Sequence, residues 1–335
     1  MGRYLIRRLL QFIPVLLGAL FLLHYMTVVG IQISGDPVRA LFGDNPPPES
    51  VLAAMRADYG LDNPCLDRRF DPCVAMFVER LGQYATGDFG IDLRQGRPIT
   101  EHLGERFPTT MRLALIAVVF ETVLGIALGV LAGLRKDRFV DNLVRASTVL
   151  LIAFPVFIIG TLIQVYVGVK LGNWIRGQDS MPDWFGQMFT VTYSADYPWL
   201  SLILPGLVLG AFSLAAIARL TRTSVIENLR ADYVRTAKAK GMPGTRVVGV
   251  HTLRNSLIPV VTYIGFDIGN LMAGAVVTEG IFGVPGIGQF VFQGTQNKDA
   301  GIVVGTVTIL VLVYLIFNLV VDLLYAVLDP RIRYD

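Results

Sequence analysis

Three acidic residues stand inside long apolar stretches of this 335-residue chain: Glu121, Asp267 and Asp322. An ionisable group in hydrocarbon is expensive, so it is expected to face a bundle interior or an aqueous path, and these three are candidates for lining a translocation path or its gate. Asp322 lies close enough to the C-terminus for an interfacial position to compete, and Glu121 can equally serve as a hydrogen-bonding partner for a neighbouring helix. Three acids without an evident basic partner would also suit a proton or cation relay, making the chain an ion-coupled secondary transporter. That class is built from inverted repeats with interrupted helices, and the two halves of this sequence show no such symmetry.

Other chemistry is sparse. Cys65 and Cys73 follow two dipeptides that favour bends, Asn63-Pro64 and Asp71-Pro72. Both lie in the long segment expected outside the cytoplasm, and that oxidising compartment favours a disulfide, the alternative being two independent thiols. No metal site is expected, because neither another Cys nor a His accompanies the pair. The histidines, His24, His102 and His251, fall in three separate regions, and neither H-E-x-x-H nor G-x-S-x-G occurs, so no catalytic residue is expected. A phosphate loop of the form G-x-x-x-x-G-K-[ST] is also missing. The run from Gly283 to Gly288 has neither the lysine nor the hydroxyl residue and reads as a tight turn. If ATP drives this protein, a partner must hydrolyse it; no cofactor is expected on this chain. The net charge of +3 comes without any nucleic-acid-binding pattern.

The elements that must position these residues follow from composition. With 53% apolar and 16% charged residues, the chain falls outside the soluble class. Apolar runs of about twenty residues or more, enough to cross roughly 30 Å of hydrocarbon, recur along it. They are residues 9–31, 111–134, 143–171, 199–218, 257–278 and 302–328, which predicts an all-α polytopic membrane protein with six transmembrane helices. The first run is too long for a signal peptide and lacks an A-x-A-like exit, so it reads as a retained span. Pro14, Pro155, Pro205 and Pro259, within or at the edges of spans, are expected to bend helices around a cavity.

Lys and Arg counts orient the chain. Three precede the first run, four lie in 135–145, eight in 219–254 and two near the C-terminus, against one each in 172–198 and 279–301. Both termini are therefore expected in the cytoplasm. Three regions result: 1–31, the N-terminus and first helix; 32–108, a small helical extracytoplasmic insertion; and 109–335, a core holding helices two to six with a cytoplasmic loop at 219–256. In the insertion, Ser50 is expected to cap a helix from Val51 to Tyr59. A second helix, from Cys73 to Tyr84, would place Val74, Phe77, Val78 and Leu81 on one face. Aromatic residues in 179–199 read as an interfacial belt.

The basic loop carries the strongest pattern. Leu229 to Lys240 reads as a short helix ended by Gly241, with Pro243 beyond it. Ala231, Ala237 and Ala239 keep it thin enough for a partner's cleft, and Arg230, Arg235, Lys238 and Lys240 can pair with acidic groups there. Attraction of a basic face to anionic lipid is the competing explanation. The run DYVRTAKAKGMPGTRVVGVHTLRNSLIPVV, from Asp232 to Val261, closely resembles the coupling loop of permease subunits of binding-protein-dependent ABC importers, in the dipeptide/oligopeptide/nickel family. MGRYLIRRLLQFIPVL, GDPVRALFG, YGLDNP, GDFGIDLRQGRPI and EGIFGVPGIGQFV agree with the same family, in the right order over nearly the whole length.

The resemblance implies the type I ABC importer permease fold and transport of peptides across the cytoplasmic membrane by alternating access. It implies a second homologous permease subunit, two cytoplasmic ATPase subunits that hold ATP and Mg, an extracytoplasmic substrate-binding protein and a surrounding lipid bilayer. ATPase coupling would fall on Ala231, Asp232, Tyr233, Arg235, Thr236, Ala237, Lys238, Ala239, Lys240 and Gly241. The family's Glu-Ala-Ala motif, aligned on Gly241, puts Arg235, Thr236 and Ala237 at its first three positions and His251, Leu253 and Arg254 at its last, a departure from the general pattern.

Overall fold

The computed structural model describes residues 2–178 and 180–328, with the side chains of 2–5, 273, 274, 322 and 324–328 outside the description. The described residues are mostly helical. The helices are α1 (Gly2–Ser34), α2 (Pro37–Ala40), α3 (Glu49–Asp58), α4 (Val74–Ala85), α5 (Ile99–Leu134), α6 (Phe139–Ala153), α7 (Val156–Ile163), α8 (Gly172–Arg176), α9 (Asp183–Gln187), α10 (Ile203–Leu229), α11 (Asp232–Ala239), α12 (Gly244–Arg246), α13 (Leu253–Ser256), α14 (Ile258–Phe282), α15 (Ile287–Gln296) and α16 (Ala300–Leu328). Among the described residues there is no strand, only an isolated antiparallel bridge between Ile91 and Pro98. Five helical stretches among the described residues are long and apolar enough to cross a membrane, or six if α14, bent by 50° after Met272, counts as one span.

One expected span is cut differently. The apolar run 143–171 breaks at Phe154 and Pro155, both extended (ψ 135° and 138°), because a residue preceding proline is driven out of the α region. The fifteen-residue α6, about 22 Å long, cannot cross alone; the span is Val156–Arg176, in which α7 and α8 are joined by a π-helical stretch, Gln164–Leu171. Of the four prolines, this one breaks its helix. Pro14 lies inside α1, and Pro205 and Pro259 occupy first turns, where no amide hydrogen is needed.

The chain divides into two compact units, residues 1–108 with 285–335, and residues 109–284. In the first, α1 runs for 33 residues, about 50 Å, well beyond a hydrocarbon core of roughly 30 Å. The segment after it folds back on α1. Asn63 and Asp71 accept the amides of Cys65 and Cys73 at 3.1 and 2.9 Å, each forming a tight turn before a cysteine. The two cysteines are joined in a disulfide with their Cα atoms 5.6 Å apart. This closed loop packs Leu66, Cys73 and Met76 on Val28 of α1, and Gln32 donates to the carbonyls of Cys65 and Asp71 at 3.2 and 3.0 Å.

Two local expectations in this segment are corrected. Pro48, not Ser50, takes the cap position of α3, and Ser50 lies within the first turn. In α4, Val74 and Val78 are exposed, whereas Cys73, Met76 and Phe77 are buried. Of the expected face, Phe77 is buried and Leu81 half-buried, while the contact with α1 takes Met76 and Cys73 in place of the two valines. The other end of the unit is held by Asp299, fully buried, which accepts the amides of Leu93 at 3.1 Å and Ile302 at 3.1 Å and so ties the 88–98 loop to the start of α16.

In the second unit, α10 is the central helix. Gly125, Gly129 and Gly133 of α5 recur every four residues, so they share one face of that helix. A Cβ at these positions would lie 2.7, 2.5 and 2.9 Å from Ile217, Thr221 and Val225 of α10. Gly206 and Gly210 of α10 return the fit against Ile116 and Ala117. Close backbone approach of this kind is how helices associate where lipid removes the hydrophobic drive. A core of Leu113, Ala117, Leu202, Val208, Leu271, Ala275 and Phe282 completes the bundle.

Candidate functional site

The loop after α10 is built as a seated short helix. Arg230 caps α10, Ala231 turns extended (ψ 150°), and α11 starts at Asp232. The single helix expected from Leu229 to Lys240 is therefore shorter, since Leu229 and Arg230 belong to the end of α10. Asp232 in the first turn and Lys238 in the last suit the helix dipole. Gly241 adopts φ 74°, donating to the carbonyl of Lys238 at 2.9 Å, and Met242 donates to Ala237 at 3.3 Å. That pair of bonds is a Schellman closure, and the left-handed residue it needs explains the glycine.

The closure brings Met242 onto Val234, Ala237 and Val247, a small core of the loop itself. Val234 and Ala237 are thus buried. Asp232, Tyr233, Arg235, Thr236, Lys238, Ala239, Lys240 and Gly241 are exposed, with Ala231 half-buried. Two bonds latch this seat to α10: the Tyr233 hydroxyl donates to Asn228, and Ser256 of α13 donates to the carbonyl of Ser224 at 3.3 Å. The coupling candidates accordingly separate into an exposed set and one buried residue, Ala237.

Higher on α10, Arg222 grips Asp141 of α6 through two parallel bonds, Nε to Oδ1 at 2.5 Å and Nη2 to Oδ2 at 2.7 Å. Asp141 is fully buried and also accepts the amide of Asp137 at 2.8 Å, whose φ of 62° curls the 135–138 turn back onto it. The guanidinium, with that amide, holds the Asp141 carboxyl down to about 2. Neither member was singled out in the sequence, nor were the α5 glycines. The four-residue spacing in GIALGVLAG was a readable signal; the ion pair, 81 residues apart, had none.

The structure brings Glu121 and Asp267 together and buries both, at 0% and 2% exposure. Their carboxyls are within electrostatic reach but make no hydrogen bond of ordinary geometry with each other. Tyr263, one turn before Asp267, approaches Ser213, and Arg219 is near. A further buried acid, Glu279, lies on α14 beyond the expected span end and accepts from Thr110 of α5 at 2.7 Å. The side chain of Asp322 falls outside the described residues. Among the described residues no cluster of His, Cys, Asp and Glu is arranged to hold a metal ion.

The comparisons agree with this architecture. Residues 125–334 match the family model described as binding-protein-dependent transport system inner membrane component. The dipeptide transport system permease protein DppB of Escherichia coli (strain K12) is 34% identical over 348 residues, covering 100% of this chain and 99% of the relative. Its counterpart in Haemophilus influenzae is 36% identical over 344 residues, with full coverage of both. The glutathione transport system permease protein GsiC of Escherichia coli (strain K12) is 34% identical over 335 residues, again with full coverage. An all-helical multi-pass chain, matched by that model over most of its length and by these permeases from end to end, belongs to the family of binding-protein-dependent transport system inner membrane components and has their type I permease fold.

Proposed function

We propose that this chain is one of two transmembrane subunits of an ATP-driven importer of short peptides. The end-to-end similarity to permeases named for dipeptide and glutathione transport carries the reading, since both named solutes are short peptides. The other subunits are a second homologous permease, two cytoplasmic ATPases that bind ATP and Mg, and an extracytoplasmic binding protein. Both termini face the cytoplasm, as the Lys and Arg bias indicates.

Coupling enters at α11. Its exposed face, Asp232, Tyr233, Arg235, Thr236, Lys238 and Lys240, docks in a cleft of an ATPase, while Val234 and Ala237 hold it on its seat. ATPase closure pushes the seat, and the latches at Asn228 and Ser224 pass the push to α10. The Arg222–Asp141 pair and the glycine contact make α5, α6 and α10 move together, which suits rigid-body alternating access. Glu121 and Asp267 act from inside the bundle, as part of the gate between α5 and α14.

Reconstitution tests the reading against an ion-coupled carrier. Vesicles holding the complete set of subunits should accumulate dialanine only with ATP inside the ATPase compartment. Vesicles holding this polypeptide alone should be inert under a proton or sodium gradient. Uptake by the lone polypeptide would overturn the assignment.

A further inference from the structure

The first unit contains a cavity of about 420 Å³, at the low end of the range of small-molecule sites. Its walls come from α1, the end of α3, α4, the 88–91 loop and the first turns of α16. Gly301 and Gly305 let that loop lie directly on α16, since a Cβ at either would collide with the backbone oxygen of Ile91 or Phe89. Tyr84 and Phe89 stack at 5.4 Å on one side, and the Tyr59 hydroxyl is held by the carbonyl of Leu93 at 3.1 Å.

One cation lining this space makes no ion pair at contact distance among the described residues. Arg80 of α4 is half-buried, and no carboxylate comes within 4 Å of it among the described residues. Its one hydrogen-bond neighbour there is the His24 ring, with Nη1 3.5 Å from Nδ1. The other ring nitrogen, Nε2, lies 3.2 Å from the carbonyl of Pro72. A ring that donates Nε2–H to that carbonyl presents Nδ1 as an acceptor to Arg80, so His24 orients the guanidinium without neutralising it. A guanidinium has five N–H donors in a planar fork suited to a carboxylate, and partial burial of this one pulls its pKa below the ordinary value. The exposed carboxylate of Glu79, next in the chain, acts on Arg80 from beyond 4 Å, and those of Asp58 and Asp88, also exposed, belong to the same lining.

From a half-buried cation and exposed acids in one lining, we infer that the cavity binds a small zwitterion, a short peptide with a free C-terminal carboxylate on Arg80 and its ammonium group toward Asp58 and Asp88. This site rests on the peptide-import reading and extends it: a peptide would be held by the permease itself before translocation. The fork supplies the carboxylate contact, the aromatic pair bounds the side chains, and the volume limits the occupant to a few residues.

Equilibrium binding of radiolabelled dialanine to the assembled importer in nanodiscs, without ATP and without binding protein, tests it. Wild type should bind saturably, and Arg80→Gln should weaken binding at least about tenfold, as expected when a charge-assisted pair is lost. Dialanine amide, which lacks the carboxylate, should compete at least about tenfold more weakly on wild type, a comparison that holds even if Arg80→Gln fails to fold. Equal binding by folded Arg80→Gln, equal competition by the amide, or no saturable binding to wild type would each overturn the site. ATP-driven uptake of dialanine by the complete system is scored separately, so failure of the cavity leaves the import reading standing and the converse is equally visible.

Discussion

Charge reversal on α11 should uncouple transport without unfolding the loop, whereas a charge at Ala237 should unfold it. Arg235 is 73% exposed and its contact with Asp232 is 3.4 Å, so that pair contributes under about 1 kcal/mol. Lys238 is also exposed, and Arg235→Glu with Lys238→Glu should shift stability by about 0.5 kcal/mol or little more. Against an acidic or carbonyl-rich cleft, losing two favourable charges costs about 2 kcal/mol or more, roughly a thirtyfold weakening of docking. At Ala237, 4% exposed among Val234, Val247 and Met242, an unpaired buried carboxylate costs about 3–5 kcal/mol. Three buried side chains holding the seat contribute at most a comparable amount, so Ala237→Glu should open it. The assays are ATPase co-purification, ATP-driven uptake in proteoliposomes, and amide hydrogen exchange across 231–247. The double variant should keep wild-type protection and lose both partner and uptake, while Ala237→Glu should lose protection as well. Normal uptake by the double variant would refute the docking face; wild-type protection in Ala237→Glu would refute the seat.

Gly129→Val should be among the most damaging single substitutions in α5, because even its Cβ would sit 2.5 Å from Thr221 and 2.6 Å from the carbonyl oxygen of Ala218. Overpacking of this kind costs about 1–3 kcal/mol, read as a lower melting temperature in detergent, whereas Gly104→Ala, with open space around it, should be nearly silent. For Asp141, a carboxyl held at about 2 against an ordinary 3.8 corresponds to about 2.4 kcal/mol at about 1.36 kcal/mol per pH unit, and screening by nearby water reduces this to about 1 kcal/mol. The sign follows from a depressed pKa: the contribution is complete above about pH 4 and is lost as pH falls through about 2. The gap in melting temperature between wild type and Asp141→Asn should therefore be full at pH 7 and close toward pH 2, and a gap that widened on acidification would contradict the ion-pair account.

Part of the site was legible because its signals are local. The end of α11 follows from Gly241 and Pro243, since a left-handed closure needs a residue without Cβ. Its start did not follow, because Ala231 is as compatible with a helix as with the extended turn it makes, and α10 continues to Leu229 on contacts made elsewhere. Ala237 has the small side chain expected of a thin docking helix, yet the same size suits a residue under Met242. Only the fold shows that this side chain is buried. In α4 the expected stripe was right at Phe77 and wrong at Val74 and Val78, for the helix lies on α1 with Cys73, Met76 and Phe77 inward and leaves those two valines outside.

By itself, the sequence determined that this is a multi-pass helical membrane protein of the permease family, roughly where most spans lie, and which loop carries the basic helix. Those properties depend on transfer of consecutive side chains into hydrocarbon and on motif order, both additive along the chain. The tertiary structure decided which face of each helix is buried, that Glu121 lies near Asp267 and Arg222 bonds Asp141, that Arg80 has a ring nitrogen rather than a carboxylate at hydrogen-bond distance, and that Ala237 is buried against Val234, Val247 and Met242. Helix rotation and long-range pairing are set by the neighbour each side chain meets, and that neighbour stands tens to more than a hundred residues away in the chain.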